Sequence, residues 1–257
     1  MSYPTWSDLN REGIVPPLGA RKAPDIGPIA LLVSPEPDFR MAKSLADPVT
    51  TKGFFMGSIH TGMQQDGISI AGPYIGAPYA VMLLESLIAK GARTILVMGW
   101  CGALTEDLQA GDLLIPDRAC VDEGTSRHYR VLDMDPPVSF PHPGLYGNLK
   151  SYLEKRDIPV KRGAIWTTDA IYRETPNKVA WFRDRGALAV EMECSALFSA
   201  ADYRGVDIAA LLVVSDSVAS KDWAPAFKAK QFKAARTTAC EALIRFGRSL
   251  TPHDLNP

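Results

Sequence analysis

The chain has 257 residues with 28 Lys and Arg against 29 Asp and Glu, a formal net charge of −1, which excludes the basic excess of a general nucleic-acid or anionic-membrane binder. Hydrophobic residues make up 46%, enough for the core of one large domain. The opening MSYPTWSDLNRE lacks the basic start and apolar run of a secretory signal, the apolar runs are too short to cross a bilayer, and the scattered cysteines and histidines show no CxxC or metal-ligand spacing, so a cytoplasmic protein with reduced thiols and no metal or organic cofactor is expected.

Residues 1–27 are rich in Pro and Gly and read as an extended N-terminal arm, with a single domain over 28–257. Apolar runs predict strands at 29–33, 67–72, 93–99, 111–117, 163–169 and 206–216. Apolar residues at three- and four-residue steps predict helices at 38–47, 76–91, about 144–156 and 226–247. The stretch AVEMECSALF (189–198) reads as the head of a helix that runs to about Arg204. Strands alternating with helices predict an α/β fold: a three-layer αβα arrangement around a mixed, largely parallel sheet.

Ligands in such sheets collect at the carboxyl ends of the strands. Four polar or Gly-rich segments follow apolar runs there: VSPEPDFR, GWCGAL, TTDAIYRET and VVSDS. Gly99 and Gly102 would let a ligand approach the backbone around Trp100. Asp216 follows a buried strand and is either a cap or a carboxyl group with a raised pKa that donates a proton. On a helix Glu191 and Glu193 would lie about 200° apart, so one would pair within the protein while the other meets a ligand. Vicinal hydroxyls suit the second, and Met192 offers a soft apolar contact. Arg40, in the first turns of its helix, either holds an anion or pairs with a surface carboxylate.

In this order the motifs resemble the nucleoside phosphorylase superfamily, in the branch of hexameric purine nucleoside phosphorylases, uridine phosphorylases and thioadenosine/homocysteine nucleosidases. The most specific match is AVEMECSALF, and the resemblance runs from about Ile29 to Phe246. It implies the phosphorylase/hydrolase-like fold, a homo-oligomer (dimer or hexamer), and cleavage of the bond between a base and C1′ of a nucleoside. The products would be free base and ribose 1-phosphate, with phosphate as co-substrate. It also implies that Met192 and Glu193 hold the ribose, with Glu191 beside them. Asp216 would assist the leaving base, and Ile171 and Tyr172 would line the base pocket. Uridine phosphorylases read uracil with a Gln and an Arg where this chain has Thr175 and Asn177, so a purine-type base is expected.

The phosphate or water site, at Glu36, Arg40, Gly99 and Trp100, departs from the family pattern. Val97 and Phe55 stand where two further arginines are expected, Trp100 where a Ser or Thr is, and Ile171 where a Phe is. Three readings stay open. A phosphorylase could hold its anion with Arg127 or Arg173, a nucleosidase could activate water with Glu36, or Trp100 could fill the site of a silent nucleoside binder.

Overall fold

The computed structural model describes residues 8–22, 25–46, 50–54, 56–61, 68–220 and 222–250. Phe55 and parts of the proposed arm lie outside them. The arm residues that are described form turns laid on the chain itself. Tyr203 Oη donates to the Leu9 carbonyl at 2.6 Å, and the Asp25 amide to the Lys90 carbonyl at 2.9 Å.

Strands β1 (Ile29–Val33), β4 (Ser69–Gly72), β5 (Thr94–Ala103), β8 (Lys161–Thr168) and β10 (Asp207–Ser217) and helices α1 (Glu36–Ala46), α2 (Ala77–Lys90), α3 (Pro143–Glu154) and α6 (Lys230–Ser249) match the apolar patterns within a few residues. The sheet is mixed, and its longest registers, β5 with β10 and β8 with β6 (Leu113–Asp122), are parallel. Helices cover both faces. α2 and α5 (Cys194–Arg204) bury Leu83, Leu84, Leu87, Leu197 and Phe198 on one side, while α1, α3 and α6 bury Phe39, Leu149, Phe232 and Leu243 on the other.

Part of the sheet closes on itself. β10 pairs both β5 and β6, β6 pairs β8, β8 pairs β9 (Ala187–Glu191), and β9 returns to β5. This closure brings the carboxyl ends of β5, β9 and β10 together. β1 and β4 add theirs from the open side, where the sheet continues into the hairpin β2 (Thr50–Phe54) and β3 (Gly57–Thr61).

Two expectations need correction. AVEMECSALF does not begin a helix: Glu191 ends β9, Met192 and Glu193 form a bend, and α5 starts at Cys194. Ala187, Ala189 and Val190 bury their side chains between neighbouring strands, a setting that overrides the local helical pattern. The glycine-bearing GWCGA does not follow the strand predicted at 93–99 but extends it: β5 runs to Ala103, paired with β10 except for a bulge at Ser215. Helix α4 (Pro176–Asp184), opened by Pro176 and capped by Thr175, and the hairpin β2–β3 carry weak apolar patterns and are absent from the expectations above.

Candidate active site

The carboxyl ends of six strands surround a cavity of about 530 Å³, within the usual size of a small-molecule site. Ser34, Pro35 and Glu36 follow β1, Pro73 to Ile75 follow β4, and Trp100 to Gly102 end β5. Ile171 and Glu174 follow β8, Val190 and Glu191 end β9 with Met192 and Glu193 just after it, and Ser215 and Asp216 lie at the end of β10. All four segments singled out in the sequence contribute to it.

Glu191 and Glu193 do divide their roles, although by strand and bend rather than around a helix. Glu191 Oε2 accepts from the amides of Glu193 and Cys194, each at 2.8 Å, and Oε1 accepts from Thr167 Oγ1. It thereby satisfies amides at the start of α5 that would otherwise lack partners. Burial pushes its carboxyl up against these bonds. Glu191→Ala would strand three buried donors, and a stability loss of about 3 kcal/mol or more is expected, read from the denaturant midpoint.

Glu193 sits at the other side of the bend, where Oε1 accepts the Gly76 amide at 2.6 Å. Gly76 caps the start of α2 with φ +81°, a conformation costly for other residues. Burial, and after it the Glu191 charge, push the Glu193 carboxyl up to about 8. Beside it Tyr74 Oη is buried with no hydrogen-bond partner among the described residues, the kind of orphan that a ligand hydroxyl would satisfy. Tyr74 belongs to no motif of the sequence, and its only signal is its position directly after β4.

Asp216 ends β10 opposite Gly102. A Cβ at position 102 would lie 3.2 Å from Asp216 Oδ2, so the glycine makes room for the carboxylate. Ser215 Oγ donates to Oδ1 at 2.5 Å and Trp223 Nε1 to Oδ2 at 2.7 Å. Gly99 has a different role: a Cβ there would press on Leu212 at 3.2 Å, and it does not line the cavity.

The residues expected at the anion site separate. Glu36 lines the cavity, but Arg40, four residues on, points outward on α1 and pairs with Glu36. Its side chain is 78% exposed. Trp100 lines the cavity and donates Nε1 to Asp38 Oδ2 at 2.6 Å. Asp38, fully buried, also meets Arg236 at 2.5 Å, and the Arg236 guanidinium lies 5.0 Å from the Trp100 ring centre. Arg127 and Arg173 are exposed and do not line the cavity.

At the base loop the short turn Ile171–Arg173 brings Ile171 and Glu174, three residues apart, to the cavity. Such residues eclipse on a tight helical turn. Tyr172 falls between them and is 98% exposed, so it does not line the pocket as expected. Glu174 takes that place. Its signal was only its membership of TTDAIYRET, where the resemblance directed attention to Thr175 and Asn177. Thr175 instead caps α4, with Asn177 exposed in its first turn.

The sequence pattern of the Phosphorylase superfamily matches residues 28–250. A guanosine phosphorylase of Halorubrum lacusprofundi is 32% identical over 151 residues, 59% of this chain and 61% of that protein. The chain thus matches less than two thirds of this relative's length. Among solved structures, a purine nucleoside phosphorylase of Toxoplasma gondii superposes with a TM-score of 0.77 at 17% identity, covering 92% of this chain and 96% of the other. A 5′-methylthioadenosine/S-adenosylhomocysteine nucleosidase of Helicobacter pylori superposes with 0.72 at 20% identity, covering 88% and 99%. The likeness to both structures is one of fold. With its pattern matched over most of its length, the chain belongs to the phosphorylase superfamily.

Proposed function

We propose that this protein cleaves the N-glycosidic bond of a purine-type ribonucleoside and that water is the acceptor. The observation that carries the choice of acceptor is the charge of the cavity. Its lining includes the carboxyl groups of Glu36, Glu174, Glu191, Glu193 and Asp216 but no Lys, Arg or His among the described residues. A phosphate dianion needs charge-assisted donors to leave water, and this lining offers no cation. The same lining suits a sugar that becomes cationic as the bond to the base breaks.

In this reading Glu193, with Tyr74 and Met192 beside it, takes the ribose. The end of β10 takes the base, and Glu36 draws the proton from the attacking water. Thr175 is engaged as a cap and Asn177 is exposed, which leaves the loop without the pair that would read uracil and supports the purine assignment.

Phosphorolysis is the second reading, supported by the names of the guanosine and purine nucleoside phosphorylases above and by the Arg40–Glu36 contact, which keeps one guanidinium beside a cavity residue. Adenosine, inosine, guanosine, uridine and methylthioadenosine, each with and without phosphate, separate the two. Release of purine base at the same rate in both conditions is expected, with a fall of about 10²-fold or more in Glu36→Ala. Ribose 1-phosphate formed only with phosphate would replace hydrolysis by phosphorolysis. A Glu36→Ala variant at wild-type rate would remove Glu36 as the base.

A further inference from the structure

Both oxygens of Asp216 are already engaged, by Ser215 Oγ at 2.5 Å and by Trp223 Nε1 at 2.7 Å. With each oxygen facing a donor of its own wall, neither is left free to serve the departing base. Glu174 lines the same cavity from the turn after β8, on the face it shares with Ile171. We infer that Glu174 is the acid that delivers a proton to the departing base, and that Asp216 is the fixed anion that keeps this proton in place. The inference rests on the glycosidic-cleavage reading and deepens it.

The surroundings fit this division. The other titratable groups lining the cavity among the described residues are Glu36 from α1, Tyr74 after β4, Tyr79 from α2, Cys101 from β5, Glu191 and Glu193 from β9 and the bend after it, and Asp216 from β10. None of them is a cation that would discharge Glu174. Burial, and after it the Asp216 charge, push the Glu174 carboxyl up to about 7, near the value that suits a general acid at neutral pH.

In the step itself the C1′–N bond breaks with its electron pair going to the base nitrogen, which takes the Glu174 proton. Water adds to C1′ and passes its proton to Glu36. Solvent returns one proton to Glu174 and removes one from Glu36, so the net reaction is nucleoside plus water to base plus ribose.

The test compares kcat against pH, which reports groups in the substrate complex, for wild type, E174Q and D216N. Two substrates are used: a purine nucleoside, and 4-nitrophenyl β-D-riboside, whose leaving group departs as a stable anion. Wild-type kcat on the nucleoside is expected to fall as pH rises through about 7, because Glu174 loses its proton. E174Q should lose that limb and about 10²-fold in kcat on the nucleoside while retaining the nitrophenyl riboside activity, which also certifies its fold. D216N should move the limb to lower pH, since it removes the anion that raises Glu174. Wild-type kcat in E174Q, or a limb that persists there, would overturn the proton donor alone. A wild-type protein inactive on both substrates would overturn the cleavage reading and this inference with it.

Discussion

Glu193→Ala is expected to lower kcat/KM for ribonucleosides by about 10²–10⁴-fold, the largest loss of activity among the variants considered. Two hydroxyl groups donating to one buried carboxylate form charge-assisted bonds of about 1.5–3 kcal/mol each. Their joint loss of about 3–6 kcal/mol converts at about 1.4 kcal/mol per tenfold. The carboxyl is held toward the cavity from behind, where Gly76 donates to Oε1 at 2.6 Å, so it needs no rearrangement to receive a diol.

The comparison that isolates the role is a 2′,3′-dideoxynucleoside. It should be a poor substrate for the wild type and lose little further in the variant. A variant that still preferred the ribonucleoside by the wild-type ratio would show that the diol is read elsewhere. The pH dependence of binding provides a second check. Before a diol binds, burial and the Glu191 charge push the Glu193 carboxyl up to about 8, so it holds its proton at neutral pH. The two donors of a diol favour the ionised form. The free protein therefore carries more protons than the complex, binding releases one, and affinity should tighten as pH rises from about 6 toward 8. Glu193→Gln should abolish that dependence.

Asp38→Ala is expected to destabilise the protein by about 3–5 kcal/mol, the range for removing one partner of a buried ion pair. Asp38 is fully buried and holds two groups at once, Arg236 from α6 and the Trp100 indole N–H from β5. Without it the largely buried guanidinium has no counter-charge there, and the indole that forms part of the cavity wall loses its anchor. The midpoint of urea unfolding measures the first effect and the fluorescence of Trp100 the second. Asp38→Asn, which keeps one acceptor, should cost less. A loss below about 1 kcal/mol in Asp38→Ala would mean that Arg236 is solvated without its partner, as in an exposed pair. The arrangement also accounts for the tryptophan in a position where the family resemblance expected a small hydroxyl residue: its N–H has a fixed internal acceptor.

Several parts of this architecture are legible from residue order alone because their signals are local. IALLV and IAALLVV are uninterrupted apolar runs, and such runs are stable only where both faces of a strand are covered. GAPYAVMLLESLIAKG repeats apolar residues at helical steps and ends at a glycine. The polar residues that follow strands point to the ligand end of the sheet for the same reason. Glu191 and Glu193 stand out because carboxylates beside apolar runs need a partner or a use. The AVEMEC segment carries a contrary local signal, since Ala, Met and Glu favour a helix in isolation, whereas strand pairing to β5 and β8 decides the conformation up to Glu191.

The sequence by itself determined the α/β class, the order of most elements, the family resemblance and the placement of Glu193 and Asp216 at the ligand end of the sheet. These follow from periodicity and from short contiguous motifs, in which neighbouring residues act together. Only the tertiary structure decided which charges reach the cavity. Glu36 and Arg40 share one face of α1 and pair with each other, yet only Glu36 lines the site, because it opens the helix at the end of the sheet while Arg40 lies a turn further along and outward. Trp223 meets Asp216 because the chain turns back after β10, and Asp38 and Arg236 meet because packing brings α1 and α6 within hydrogen-bond range. Glu174 faces the cavity and Tyr172 turns away because a tight turn sets the direction of each side chain. Those directions depend on the packing of several strands at once, and no local pattern in the chain encodes them.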